Sequence, residues 1–154
     1  MEYTVNNVEQ TTEIGIQIGK LANPGDIICL TGDLGAGKTH LSKGIAKGLN
    51  ITDHITSPTF TIVNEYEGRL KLYHFDVYRV NDADEISAIG FDEYIFSDGV
   101  SIIEWANYID ELIPEEHISI NITKLPEDVN LRKIVIEGFG DRYNYIKEIQ
   151  LWEY

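Results

Sequence analysis

The run Gly32-Asp33-Leu34-Gly35-Ala36-Gly37-Lys38-Thr39 places three glycines, an amine and a hydroxyl at the spacing Gly, four residues, Gly-Lys-Thr. Glycines let a backbone fold tightly enough to turn several N–H groups toward one anion. A helix starting near Lys38 would aim its partly positive N-terminus at the same point. Lys38 is then set to bridge the β- and γ-phosphates of a nucleotide, and the Thr39 hydroxyl to ligate Mg²⁺. Such a site also needs a carboxylate from a neighbouring strand end. Two acids fit by position. Glu104 closes the apolar run Val100–Ile103, and Asp76 follows Leu70–Phe75, with His74 two residues earlier on the same strand face. His74 reads either as a packed, hydrogen-bonded histidine or as a catalyst, and Trp105 as core or the edge of a platform. Ser57-Pro58-Thr59-Phe60 is either a hydroxyl-bearing loop that senses a γ-phosphate or a proline turn with a serine cap.

Elements of the right kind surround these residues. Ile14, Ile18 and Leu21 mark a helix over 9–21, stopped by Asn23-Pro24-Gly25-Asp26. Ile27–Thr31 is a short apolar run of the buried-strand type, with Cys29 as a buried thiol. Leu41, Ile45 and Leu49 mark a helix from 38 to 49. Strands are expected at Phe60–Tyr66 and Leu70–Tyr78, joined at Glu67-Gly68, and at Val100–Glu104, His117–Thr123 and Lys133–Glu137. A short helix is expected over 82–90, with the acids of Asp82–Glu85 solvated at its start. Asp141 is expected to cap a closing helix with Tyr145, Ile149 and Trp152 on one face. The pattern predicts an α/β fold: a P-loop NTPase-like mixed sheet flanked by helices, in one domain spanning residues 1–154.

Charge narrows the partners. Twelve basic against 26 acidic residues give −14, with no Lys/Arg cluster to meet nucleic acid directly. The nucleotide site must therefore reverse the global field locally. No apolar run is long enough to cross a bilayer, and Met1-Glu2-Tyr3-Thr4 does not open a secretory signal, so a cytoplasmic location is expected.

The phosphate loop, Ser57-Pro58-Thr59-Phe60-Thr61, Tyr73-His74-Phe75-Asp76-Val77-Tyr78-Arg79 and Glu104-Trp105 together resemble the TsaE (YjeE) family in order and spacing over roughly 9–140. The resemblance implies an ATP hydrolase, weak alone, that supports threonylcarbamoyladenosine formation on tRNA. It implies ATP and Mg²⁺ as cofactors, TsaB- and TsaD-type partners, and tRNA met only through that complex. By the same likeness Thr39 and Glu104 would hold the metal. Asp76 would serve hydrolysis beside Lys38, and Thr59 would lie in a switch-like loop. Thr11 and Arg132 would touch the nucleotide, joining Asp33, Leu34, Gly35, Ala36, Gly37, Lys38, Thr39 and His40. His40 departs from the family, which often has a second threonine there, and its side chain is expected to point away from phosphate. Two rivals stand beside this reading. A small-molecule kinase would need more arginines than Arg69, Arg79, Arg132 and Arg142 and a mobile lid. A non-hydrolysing module would bind ATP only to order its docking loop.

Overall fold

The computed structural model describes residues 1–33, 35–56, 63–78 and 83–151. Thirteen elements follow the chain. They are β1 (Glu2–Val5), α1 (Val8–Leu21), β2 (Ile27–Gly32), α2 (Lys38–Gly48), β3 (Val63–Glu67), β4 (Lys71–Asp76), α3 (Ala83–Ala88), α4 (Phe91–Ile95), β5 (Val100–Glu104), a 3₁₀ segment (Ala106–Leu112), β6 (His117–Lys124), β7 (Arg132–Phe139) and a second 3₁₀ segment (Asp141–Glu148). The strands form one mixed sheet in the order β1-β7-β6-β2-β5-β4-β3. Strands β6, β2, β5 and β4 run parallel, while the β3–β4 hairpin and β1, β7 pair antiparallel. Among the described residues no helix is long and apolar enough to cross a membrane.

Burial follows strand position. Every residue of β5 is buried, as are the first four of β2, because helices cover both faces of the parallel centre. On one face Ile14, Ile18, Leu41, Ile45 and Leu49 pack on Leu30, Ile102 and Ile120. On the other, Ile86, Phe91, Ile95 and Ile109 pack on Cys29, Phe75 and Ile103.

Two glycines on each of the first two helices decide their separation. A methyl group at Gly15 or Gly19 of α1 would collide with the carbonyls of Leu41 or Ile45, and one at Gly44 or Gly48 of α2 with those of Thr12 or Ile16. The helices therefore touch backbone to backbone. The hairpin turn is bound to the same pair: the Arg69 guanidinium donates to the carbonyls of Gly19, Lys20 and Ala22, and its N–H to that of Leu49. A cation suits the carbonyl end of a helix.

The sequence expectations need four corrections. The four-residue edge strand β1 and the five-residue α4 were too short to show a period. The short helix expected over 82–90 is α3, and the unforeseen α4 begins beyond it, after Gly90, whose φ is 85°. The closing segment winds as a 3₁₀ helix, so Tyr143, Ile146 and Ile149, spaced by three, are the buried set and Tyr145 is not in it. Its preceding residue is Gly140, and Asp141 makes no side-chain cap. Asp82 and Trp152 lie outside the described residues, as do residues 60–62 of the first hairpin strand.

Helix propensity alone favours alanine over glycine by about 1 kcal/mol. The backbone contact predicts the opposite at Gly44. Gly44→Ala should destabilise the fold by about 2 kcal/mol, a fall of roughly 4–8 °C in Tm by thermal denaturation. A rise in Tm would show that the helices separate freely.

Candidate functional site

Four chain segments converge at the carboxyl edge of the parallel strands. Residues Leu30 of β2, Glu104 of β5 and Asp76 of β4 lie level across the sheet. β2 ends in Gly32, whose φ of 147° and close approach to the Ile122 carbonyl exclude a side chain. The loop that follows has Gly35 at φ 76° and Gly37 at φ 116°, the latter standing immediately before α2. Among the described residues no side-chain cap is found at Gly37 and no acid occupies the first turn of α2, so its N–H groups face the loop. An anion suits that end of the helix dipole.

A cleft of about 260 Å³ opens there, lined by Gly35, Gly37, Lys38, Thr39, His40, Asp76, Glu104 and Trp105. Lys38 is 6% exposed, and its Nζ donates to the carbonyls of Gly32 and Asp33, both at 2.9 Å. The ammonium also lies 4.1 Å from the centre of the Trp105 ring. Burial pushes the lysine below its ordinary value, while Glu104, Asp33 and Asp76 pull it back up. Asp76 accepts the Tyr78 N–H at 3.0 Å. Burial raises its carboxyl and the Glu104 charge adds to that, against the Tyr78 hydrogen bond, His74 and Lys38. Glu104 is 3% exposed and meets Nε2 of His74 at 2.6 Å.

On the other side of the loop a second cleft of about 150 Å³ is lined by Asn7, Val8, Thr11, Gly35, Ala36, Gly37, His40, Asn130 and Arg132. Thr11 is buried against Gly37. Arg132 donates through Nε to the Ala36 carbonyl at 3.2 Å and through Nη1 to the carbonyls of Val129 and Leu131. The structure thus brings Thr11, Gly35, Ala36, Gly37, Lys38, Thr39, His40, Asp76, Glu104 and Arg132 around the two clefts. His40, expected to point away from phosphate, borders both clefts. Asp33 is exposed and contributes its carbonyl to Lys38. Leu34, Thr59 with its Ser57–Phe60 loop, and Arg79 lie outside the described residues.

Two features escaped the sequence reading. Lys124, at the end of β6, brings its Nζ to 3.5 Å from where a Gly35 Cβ would stand. Its signal was available: β6 ends at the same carboxyl edge. Trp105 adopts a left-handed backbone, φ 63°, and stacks with Tyr78 and Tyr108. No local pattern joins those three rings.

The chain was compared with known proteins. Residues 5–134 match the family model for the threonylcarbamoyl adenosine biosynthesis protein TsaE. A Bacillus subtilis (strain 168) protein named tRNA threonylcarbamoyladenosine biosynthesis protein TsaE is 44% identical over 149 residues, covering 96% of this chain and 92% of the relative. A Treponema pallidum protein of the same name is 39% identical over 127 residues, covering 82% and 94%. The crystal structure of Bacillus subtilis YdiB superposes with a TM-score of 0.80 at 40% identity, covering 96% of this chain and 91% of that one.

Raising a carboxyl's pKa on folding means that the folded chain binds the proton more tightly than the unfolded one. Ionised Asp76 therefore costs stability above its ordinary value of 3.8, and the cost disappears as pH falls through that range. Asp76→Asn should raise Tm at pH 7, with the advantage shrinking as pH falls toward 4. Melting curves at the two pH values check this. An equal shift at both would assign the effect to shape and not to charge.

Proposed function

The chain belongs to the TsaE family of threonylcarbamoyl adenosine biosynthesis proteins, and from that premise we propose that it is a Mg²⁺-dependent ATPase of tRNA threonylcarbamoyladenosine formation, acting with TsaB- and TsaD-type partners. The observation that carries the reading is the single cleft in which the glycine loop, Lys38, Thr39, Asp76 and Glu104 meet. The donor types fit a metal nucleotide. A hydroxyl and a buried carboxylate are hard oxygen ligands suited to Mg²⁺, and uncapped helical N–H groups suit phosphate. The second cleft shares Gly35, Gly37 and His40 with the first, so a nucleotide whose phosphates rest on the loop can lodge its nucleoside near Thr11 and Arg132.

Thr39 and Glu104 are the residues that would hold the ion. Magnesium, when bound, neutralises phosphate charge and polarises the terminal phosphoryl group. Lys38 exchanges its two carbonyl partners for phosphate oxygens, which are stronger acceptors for an ammonium. Loop N–H groups share the negative charge that develops, and Asp76 orients the attacking water by accepting its hydrogen bond.

The placement of the arginines supports dependence on partners. Arg69 is engaged at the ends of the helices, Arg142 bonds Asp26 and Arg132 braces Ala36, so these three do not line the phosphate cleft. A site whose described cations are Lys38 and, beside the loop, Lys124 gains from a charge or a loop ordered by another protein. The acidic surface, −14 overall, fits a component that leaves tRNA to those partners.

Lys38→Ala should lower partner-stimulated phosphate release by about 10²-fold or more. Full activity in that variant would remove the loop from the mechanism. Glu104→Ala should shift the Mg²⁺ titration of hydrolysis to higher concentration, and an unchanged titration would take Glu104 out of the metal shell. Phosphate release that stays at zero with both partners and tRNA present would favour a non-hydrolysing module.

A further inference from the structure

His74 remains unused by the mechanism above, although its ring is hydrogen-bonded to Glu104. It is fully buried in β4, on the strand face it shares with Leu72 and Asp76. Its Nε2 lies 2.6 Å from Oε2 of Glu104 on the adjacent strand. The other carboxylate oxygen, Oε1, has no protein partner among the described residues, and Glu104 lines the phosphate cleft. The second ring nitrogen, Nδ1, is buried without a partner among the described residues.

These partners assign the ring proton. A carboxylate only accepts, so the nitrogen facing it must carry hydrogen. A proton on Nδ1 alone would set two lone pairs against each other at 2.6 Å. A proton on both nitrogens would bury an N–H with nothing to receive it. The neutral ring with hydrogen on Nε2 strands only an acceptor.

We propose that His74 is a positioning residue for the metal nucleotide: its Nε2–H holds Oε2 of Glu104 against β4 and thereby leaves Oε1 to the cleft. The proposal rests on the reading of that cleft as a Mg²⁺–ATP site. The anchor has a second consequence. Among the charges acting on Lys38, Glu104 is the largest, yet Lys38 gives its hydrogen bonds to two carbonyls while Glu104 is held by histidine. Freed of His74, the carboxylate would turn toward the ammonium, and one ion pair would consume both the metal ligand and the phosphate ligand. Groups that orient a ligating side chain commonly matter by about 10–100-fold in metal affinity.

Two substitutions separate positioning from packing. His74→Phe keeps a ring and loses the donor, whereas His74→Gln can return an amide N–H to the place of Nε2. Binding of a non-hydrolysable ATP analogue is measured by calorimetry in EDTA and across a Mg²⁺ titration. His74→Phe should need about 10-fold more Mg²⁺ for half-saturation and also bind more weakly than the parent in EDTA, where Lys38 is tied up by Glu104, and His74→Gln should recover most of both losses. An unchanged Mg²⁺ half-saturation in folded His74→Phe overturns the proposal. Should neither variant fold, ¹⁵N spectra of the imidazole in the unmodified protein decide it: a proton on Nε2 supports the anchor, and one on Nδ1 overturns it. A parent protein that takes up no analogue with or without Mg²⁺ defeats the nucleotide reading itself, an outcome visible before any variant is made.

Discussion

A lysine ammonium held by two main-chain carbonyls and an indole face is the contact on which the site depends. All three partners of Lys38 are neutral, so its charge remains available to an incoming anion. Had the nearest acids paired with it, the loop would present no net positive charge. This matters in a chain of net charge −14, where long-range forces push a polyphosphate away. Attraction has to begin within a few ångströms, where oriented N–H groups and one cation outweigh a field that solvent screens.

Oriented N–H groups work only if the backbone carrying them stays in place. β2 is fixed at both ends. At its start Asp26, fully buried, accepts from Arg142, Tyr145 and the N–H of Asn23, while Tyr143 receives the Ile27 N–H. The closing 3₁₀ segment therefore clasps the strand far along the sequence from the phosphate loop. At its other end Gly32 lies against Ile122 and Ala36 is braced by Arg132. α2, which begins at Lys38, is seated on α1 through the four glycines, and the same seating presses Thr11 against Gly37. Packing that resembles ordinary core construction is what aims the helix N-terminus.

Legibility in the sequence tracked how local the physics was. The phosphate loop could be read directly because glycine, lysine and threonine act through neighbours in the chain. Glu104 and Asp76 could be named as strand ends, but their level register across adjacent strands is a property of the sheet and was not. Thr11 and Arg132 entered only through family likeness, since nothing in their surroundings marks them. The glycines of α1 and α2 gave no functional signal, because their meaning is a contact between two helices. The 3₁₀ closing segment was misread for a different reason: a four-residue spacing was sought where the buried residues recur every three. Lys124 was not singled out, because its place beside the loop is set by the end of β6 and not by its neighbours in the chain.

Where local preference and global stability disagree, the disagreement is concentrated at one edge of the sheet. Most acids of this chain can lie in solvent, yet Asp76 and Glu104 stand level on adjacent strands, one partly and one almost wholly removed from water. Burial and the neighbouring Glu104 charge raise the Asp76 carboxyl above its ordinary value, and the Tyr78 hydrogen bond and Lys38 offset only part of that. A fold selected for stability alone would place amides or apolar groups there. Two carboxylates kept together against that pressure describe a place that is completed by a cation. The uncapped helix and the glycine loop beside them describe one completed by an anion. Neither half satisfies the other within the chain, because the lysine between them is held by neutral groups. A ligand carrying both signs, such as the metal polyphosphate proposed above, would relieve both at once.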